Sequence, residues 1–254
     1  MTAVVSAAEL LLLVLAGLGA GLVGSIAGLA SLISYPALLA IGLPPVMANV
    51  TNTVALVFSS GGSALSSRPE LSGQATRLLR LGVVAVLGGV IGGLLLLITP
   101  PGAFQLIVPW LIALASMAIL VPRRPQEVQH LDRAGNAIGL TVGVFLVAVY
   151  GGYFGAAAGV LMLALLLAST RESLARSNAV KNAVLGLANA TAAVTFVLFS
   201  SVHWSLVAPL ALGCFAGGRL GPLLVRHAPA GPLRIAIAVA GMGLAIHLGI
   251  DAYR

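Results

Sequence analysis

The sequence predicts an all-α polytopic membrane protein made of two inverted repeats. Each repeat holds one glycine-broken or re-entrant helical block and three transmembrane helices. Three observations predict this fold. The 254-residue chain is 59% hydrophobic but only 7% charged, whereas charged residues make up about 25% of soluble domains. Two apolar blocks, Val4–Leu43 and Ala137–Ser169, are too long for single spans. As continuous helices at about 1.5 Å per residue they would run roughly 60 Å and 50 Å, against a hydrocarbon layer about 30 Å thick. Finally, the second half of the chain echoes the first.

The first long block carries Gly17, Gly19, Gly21, Gly24 and Gly28, and the second carries Gly151, Gly152, Gly155 and Gly159. Each block must fold back or break at these clusters, as a full hairpin or as a re-entrant half-helix. Three ordinary spans follow the first block, at roughly 46–66, 78–99 and 103–121. Three more follow the second, at roughly 177–200, 204–225 and 232–250. These are continuous apolar runs, unlike the alternating segments of a membrane barrel. The repeat is legible residue by residue. GGVIGGLLL at 88–96 matches GGRLGPLLV at 217–225, and PPGAFQLIV at 100–108 matches PAGPLRIAI at 229–237, both at an offset of 129. Thr51-Asn52 matches Lys181-Asn182 at 130, and Gly24 and Gly28 match Gly155 and Gly159 at 131. The halves are 1–122 and 137–254, joined by a cytoplasmic linker at 123–136.

Charge sets the topology. If each long block enters and leaves on one side, the loops at 67–77, 122–136, 170–176 and 226–234 share that side. They carry Arg68, Arg77, Arg123, Arg124, Arg133, Arg171, Arg176, Arg226 and Arg234. The other side holds the loops near 44, 100 and 202 and both termini, with Arg254 as its only basic side chain. This asymmetry follows the positive-inside rule and places both termini outside the cytoplasmic (inner) membrane. It also gives each repeat an odd number of crossings, which inverts the second relative to the first. The net charge of +7 is spread over these loops, so it marks topology and not nucleic-acid binding. Met1–Leu10 carries Glu9 as its only charged side chain, so no cleaved signal peptide is expected. A lone cysteine, Cys214, excludes an internal disulfide.

Paired glycine-interrupted segments point to a transporter binding site. Half-helix N-termini turned into such a site favour an anion; the plainer use of Gly24, Gly28, Gly151, Gly152 and Gly155 is close helix packing. Lys181 lies inside an apolar span, where a charge costs roughly 2.5–3.5 kcal/mol on insertion scales, and so is a candidate ligand. Its plainer reading is snorkelling to the headgroups, which applies equally to Arg219. Asn49 and Asn52 share one helical face; Asn178 and Asn182 share another, which Asn189 continues. Together with Thr51 these amides offer neutral donors to an oxyanion, or hydrogen bonds between helices. The acidic residues and the four histidines lie near segment ends or in loops. No proton-relay carboxylate, metal site, cofactor site or phosphate loop is therefore expected.

Two stretches carry a family resemblance. The first is GLVGSIAGLASLISYPALLAIGLPPVMANVTN at 21–52; the second is YGGYFGAAAGVLMLALLL at 150–167 with ARSNAVKNAVLGLANATAAV at 175–194. Over essentially its whole length the chain resembles the TauE/SafE family of sulfite exporters and sulfonate or anion permeases. One departure is the cluster Gly24-Ser25-Ile26-Ala27-Gly28, where the family often has adjacent glycines. The resemblance implies secondary transport of sulfite, organosulfonates or similar sulfur oxyanions, with the lipid bilayer and the anion as partners and no enzymatic step. A passive anion channel is the alternative. An integral membrane enzyme acting on a lipid-borne substrate is a third reading, which lacks the interfacial carboxylate or histidine cluster it would need. The sequence is compatible with a homo-oligomer but does not set its size.

Overall fold

The computed structural model describes residues 6–120, 133–170, 172–225 and 231–253. Eleven helices make up this part of the chain: α1 (Ala7–Ala27), α2 (Ser31–Ala40), α3 (Pro45–Ser66), α4 (Arg68–Leu71), α5 (Ala75–Ile98), α6 (Pro101–Leu120), α7 (Arg133–Tyr153), α8 (Ala158–Ser169), α9 (Leu174–Phe199), α10 (Trp204–Val225) and α11 (Gly231–Tyr253). α1, α5, α9 and most of α10 are long and apolar enough to cross a membrane, so the chain is a multi-pass membrane protein. The six ordinary spans appear within a few residues of their expected bounds; the four-residue α4 was not expected. Most of the 123–136 linker, including Arg123 and Arg124, lies outside the described residues, as do Arg171 and 226–230. α7 begins at Arg133, inside the expected linker.

Both long blocks break where glycine permits it. α1 starts on a capping box: Ser6 Oγ accepts from the Glu9 amide at 3.2 Å, and Glu9 Oε2 accepts from the Ser6 amide at 2.7 Å. It ends at Gly28, whose φ of 80° is left-handed and whose amide bonds back to Gly24 O at 2.8 Å. α2 then turns back along α1, so that a Cβ at Gly19 would stand 3.6 Å from Ile33. At 10 residues α2 is about 15 Å long, half a bilayer core, which makes the block re-entrant and not a full hairpin. The second block repeats the design. α7 breaks over Phe154–Ala157, with left-handed Gly155 and Ala157, and α8 returns along it, bringing Leu165 against Gly143.

Packing interleaves the two halves. α1 packs along α10, and reciprocally α7 packs along α5; α3 and α9 cross each other between them, and α6 pairs with α11. Each broken helix thus lies against a helix of the other half. The backbones come close: a Cβ at Gly17 would stand 3.0 Å from Cys214 N, and one at Gly152 would stand 2.6 Å from Gly89 O. Such small-residue seams let dispersion and weak polar contacts hold helices together where lipid is as apolar as the side chains. Gly17 and Gly21 therefore serve packing, while Gly28 makes the break.

Polar contacts sort the ends. Arg176 Nη2 donates to Ser72 O at 3.2 Å, and Arg80 Nη2 to Thr141 Oγ1 at 3.3 Å. The α3–α5 connection, the start of α7 and the start of α9 therefore share one end. The second block enters and leaves there. Tyr253 meets α6 at the far end of α5, where Trp110 Nε1 donates to Tyr253 Oη at 3.0 Å.

Gly28 combines a left-handed backbone with a neighbouring backbone in contact. An alanine there would take a left-handed φ, costing about 1–2 kcal/mol, and its Cβ would overlap the Gly159 backbone. Gly28→Ala should destabilise the protein by on the order of 3 kcal/mol. Gly61→Ala, in α3 with no neighbour within 4 Å of the added carbon, should be neutral or gain up to about 1 kcal/mol. Thermal unfolding in detergent reads both; equal melting temperatures would contradict the assignment of the break.

Candidate functional site

The two breaks meet tip to tip. Gly28 and Gly159 touch backbone to backbone, with no room for a Cβ on either. Beside this junction lies a cavity of about 60 Å³. Its walls come from both halves. The last turn of α1 contributes Gly24, Ser25 and Gly28, and the start of α2 contributes Ala30 and Ser31. The mirror wall has Gly151, Phe154 and Gly155 at the end of α7, and Ala158 and Gly159 at the start of α8. α3 presents Thr53, Ser59, Ser60 and Ser63, while α9 presents Lys181, Asn182 and Asn189. Both half-helices thus begin at the cavity wall, where the dipole is positive; several of their first amides already donate to the preceding turn, Leu32 N to Leu29 O at 3.2 Å and Ala158 N to Gly155 O at 3.1 Å among them.

The opposite ends of the broken helices have the complementary problem. The last turn of α1 leaves carbonyls without helical partners. α9 supplies donors from one face. Ser25 O accepts from Asn178 Nδ2 at 2.8 Å, Asn182 Nδ2 at 3.2 Å and Lys181 Nζ at 3.3 Å. Gly24 O accepts from Lys181 Nζ at 3.1 Å. Lys181 is only 1% exposed, so it does not snorkel. Removing an ammonium from water costs several kcal/mol; carbonyls at the negative end of α1 offset part of that. The other half returns the arrangement in simpler form. Asn49 of α3 donates its Nδ2 to Tyr153 O, at the end of α7, at 2.7 Å. Asn178 stands 129 positions after Asn49, the repeat offset seen in the sequence.

The expected site residues therefore divide. Lys181, Asn182, Gly24, Gly28, Gly151 and Gly155 line the cavity, and so does Asn189. Asn49 and Asn178 do not; they are buried caps of the broken ends. Asn52 sits behind the wall, donating to Ser31 Oγ at 3.1 Å and accepting from Ser34 Oγ, which braces the start of α2. Thr51 is buried outside the lining. Gly152 serves the α7–α5 seam. Arg219 is exposed, as a snorkelling side chain would be. The lining hydroxyls were missed. Their signal was the helical spacing of Thr53, Ser60 and Ser63, but such hydroxyls commonly bond their own helix, as Thr53 Oγ1 does to Asn49 O at 2.9 Å. Among the lining residues none is a carboxylate or an imidazole. Ammonium, amide and hydroxyl donors suit a small anion.

The two caps differ in redundancy. The Ser25 carbonyl has three side-chain donors, while the Tyr153 carbonyl receives Asn49 alone among the described bonds. Asn49→Ala should therefore cost about 2 kcal/mol and Asn178→Ala about 1 kcal/mol or less. Melting temperatures of the purified variants measure this, and a larger loss in Asn178→Ala would contradict it.

Comparisons with known proteins agree with this architecture. The sulfite exporter TauE/SafE family model matches residues 13–248. The probable membrane transporter protein ORF9 of Sinorhizobium sp. is 28% identical over 233 residues, covering 91% of this chain and 89% of that protein. The probable membrane transporter protein YfcA of Escherichia coli (strain K12) is 28% identical over 211 residues, covering 81% and 77%. A probable membrane transporter protein of Haemophilus influenzae is 27% identical over 213 residues, covering 82% of each. No solved structure matches. With both helix breaks inside the matched range, the chain belongs to the sulfite exporter TauE/SafE family.

Proposed function

We propose that this protein is a secondary transporter of sulfite, organosulfonates or related small sulfur oxyanions across the cytoplasmic membrane. The anion is held between the two repeats, in the cavity beside the Gly28–Gly159 junction. The observation that carries this reading is a buried lysine at a cavity where two half-helices begin. The positive ends of the half-helices, Asn182 and the α3 hydroxyls face the oxyanion, and Lys181 offsets part of its dehydration. Lys181 rests on the Gly24 and Ser25 carbonyls. An anion competes for the same ammonium, so binding loosens the tie between α9 and the tip of α1. Because that tie joins the two halves, substrate occupancy and rocking of one repeat against the other are coupled.

The repeats, 1–122 and 137–254, are inverted in this account, with both termini outside and the arginine-bearing end in the cytoplasm. The reciprocal packing of α1 on α10 and α7 on α5 supports the repeat, and the arginine asymmetry supports the orientation. A reporter fused after Arg254 should read as external and one inserted beside Arg124 as cytoplasmic. Cytoplasmic readings at both termini would sink the inverted arrangement.

Transport tests the site. In proteoliposomes Lys181→Ala should abolish or greatly weaken sulfite uptake with near-normal membrane insertion, since losing an intramembrane charge eases insertion. Ser25 O keeps two amide donors in that variant, so α1 stays capped. Lys181→Arg should rescue only in part, because a planar fork does not reproduce a compact ammonium. Arg80→Ala, at the exposed end of α5, should stay within a few-fold of wild type. Wild-type uptake by Lys181→Ala would place the site elsewhere.

A further inference from the structure

A second group of donors lies away from the cavity, at the end that carries the arginines. α5 and α9 pack against each other and both begin there. Their first turns carry Arg77 and Arg176. Arg176 has its partners: Nε pairs with Glu172 Oε2 at 3.3 Å, and Nη2 donates to Ser72 O at 3.2 Å. Arg77 is different. Its Nη1 donates to Gln74 Oε1 at 3.2 Å, but its Nη2 is shielded by the protein and has no hydrogen-bond partner among the described residues. Glu172 and Arg176 are the charged groups that act on it, one attractive and one repulsive. Ser177 follows Arg176 on α9; it is fully buried and its Oγ also has no hydrogen-bond partner among the described residues.

An ionised donor held from water without an acceptor is costly, more so than a neutral one. Among the described residues this end carries Arg68, Arg77, Arg80 and Arg176 against the carboxylates Glu70 and Glu172, so the local potential is positive. The arrangement calls for a compact acceptor with a negative charge. Four residues on from Ser177 along α9 is Lys181, at the cavity, which is about one helical turn, or 6 Å.

We propose that Arg77, with Arg176 and Ser177, forms a second site for a small oxyanion, between the arginine-bearing face and the central cavity. The identity of the anion rests on the transport reading above; the site itself does not. An anion bridging Arg77 Nη2 and Ser177 Oγ would wait one turn of α9 from the Lys181 site. It would pass along the face that carries Ser177 and Asn178.

Equilibrium dialysis of radiolabelled sulfite against the detergent-purified full chain tests this. Wild type should bind two sulfite ions per chain. Lys181→Ala should leave one, and Arg77→Gln should leave the other, its own site weakened about tenfold or more. Arg77→Lys, which keeps the charge, should retain two, as should Arg68→Gln, which lies at the same end. A single ion per chain that is lost in Lys181→Ala and untouched in Arg77→Gln would overturn the second site, as would no binding at all. Proteoliposome uptake by wild type separates the readings. Uptake with one bound ion leaves the transporter without this site; two bound ions without uptake leave the site without the transporter.

Discussion

Two helices end in the middle of this protein, and everything around them answers the backbone groups they leave behind. In lipid no water reaches such groups, so the protein must supply partners. It does so across the repeat boundary: α9 of the second half caps α1 of the first, and α3 of the first half caps α7 of the second. Each half meets part of its own break, Gly24 O from the Gly28 amide and Ala156 O from Tyr150 Oη, but the Ser25 and Tyr153 carbonyls are met from the opposite half. The interleaved packing of α1 on α10 and α7 on α5 has the same logic, since each broken helix needs a partner that brings its end to the opposite half's donors.

The glycines do three separate jobs that look alike on paper. Gly28 and Gly155 take left-handed backbone at the turns. Gly17, Gly21 and Gly152 admit a neighbouring backbone. Gly24 and Gly151 face the cavity. Gly28 and Gly155 combine the first and third jobs, and at Gly28 an added Cβ would also overlap the Gly159 backbone. The cavity's donors follow from the caps. α9 must carry amides and an ammonium to reach the α1 end, and that face also borders the void.

Most of the architecture could be read from the chain. Block length against bilayer thickness predicted both breaks, and the continuous apolar runs placed six spans within a few residues. α4 was missed because four residues, one of them Pro69, are too few to show a period. The candidate site was legible in part. Lys181 and Asn182 stood out because charge and amide are rare in apolar helices. What could not be read was direction: Asn49 and Asn178 share the cavity's neighbourhood but turn to carbonyls, and Asn52 turns to Ser31 and Ser34. A helical face is set by spacing, but which partner occupies it is set by tertiary contact. The serines were missed for the reverse reason, since hydroxyls in membrane helices are common and mostly bond their own turn.

The central claim is that an oxyanion sits where the two half-helices begin, within reach of Lys181. Selenite, the heavier analogue of sulfite, makes this visible. A crystal of the full chain soaked in selenite should show an anomalous selenium peak in the cavity between Gly28, Gly159 and Lys181, with the Lys181 ammonium drawn off the Gly24 and Ser25 carbonyls. A cavity without a peak, or a peak there with Lys181 still on both carbonyls, would contradict the account.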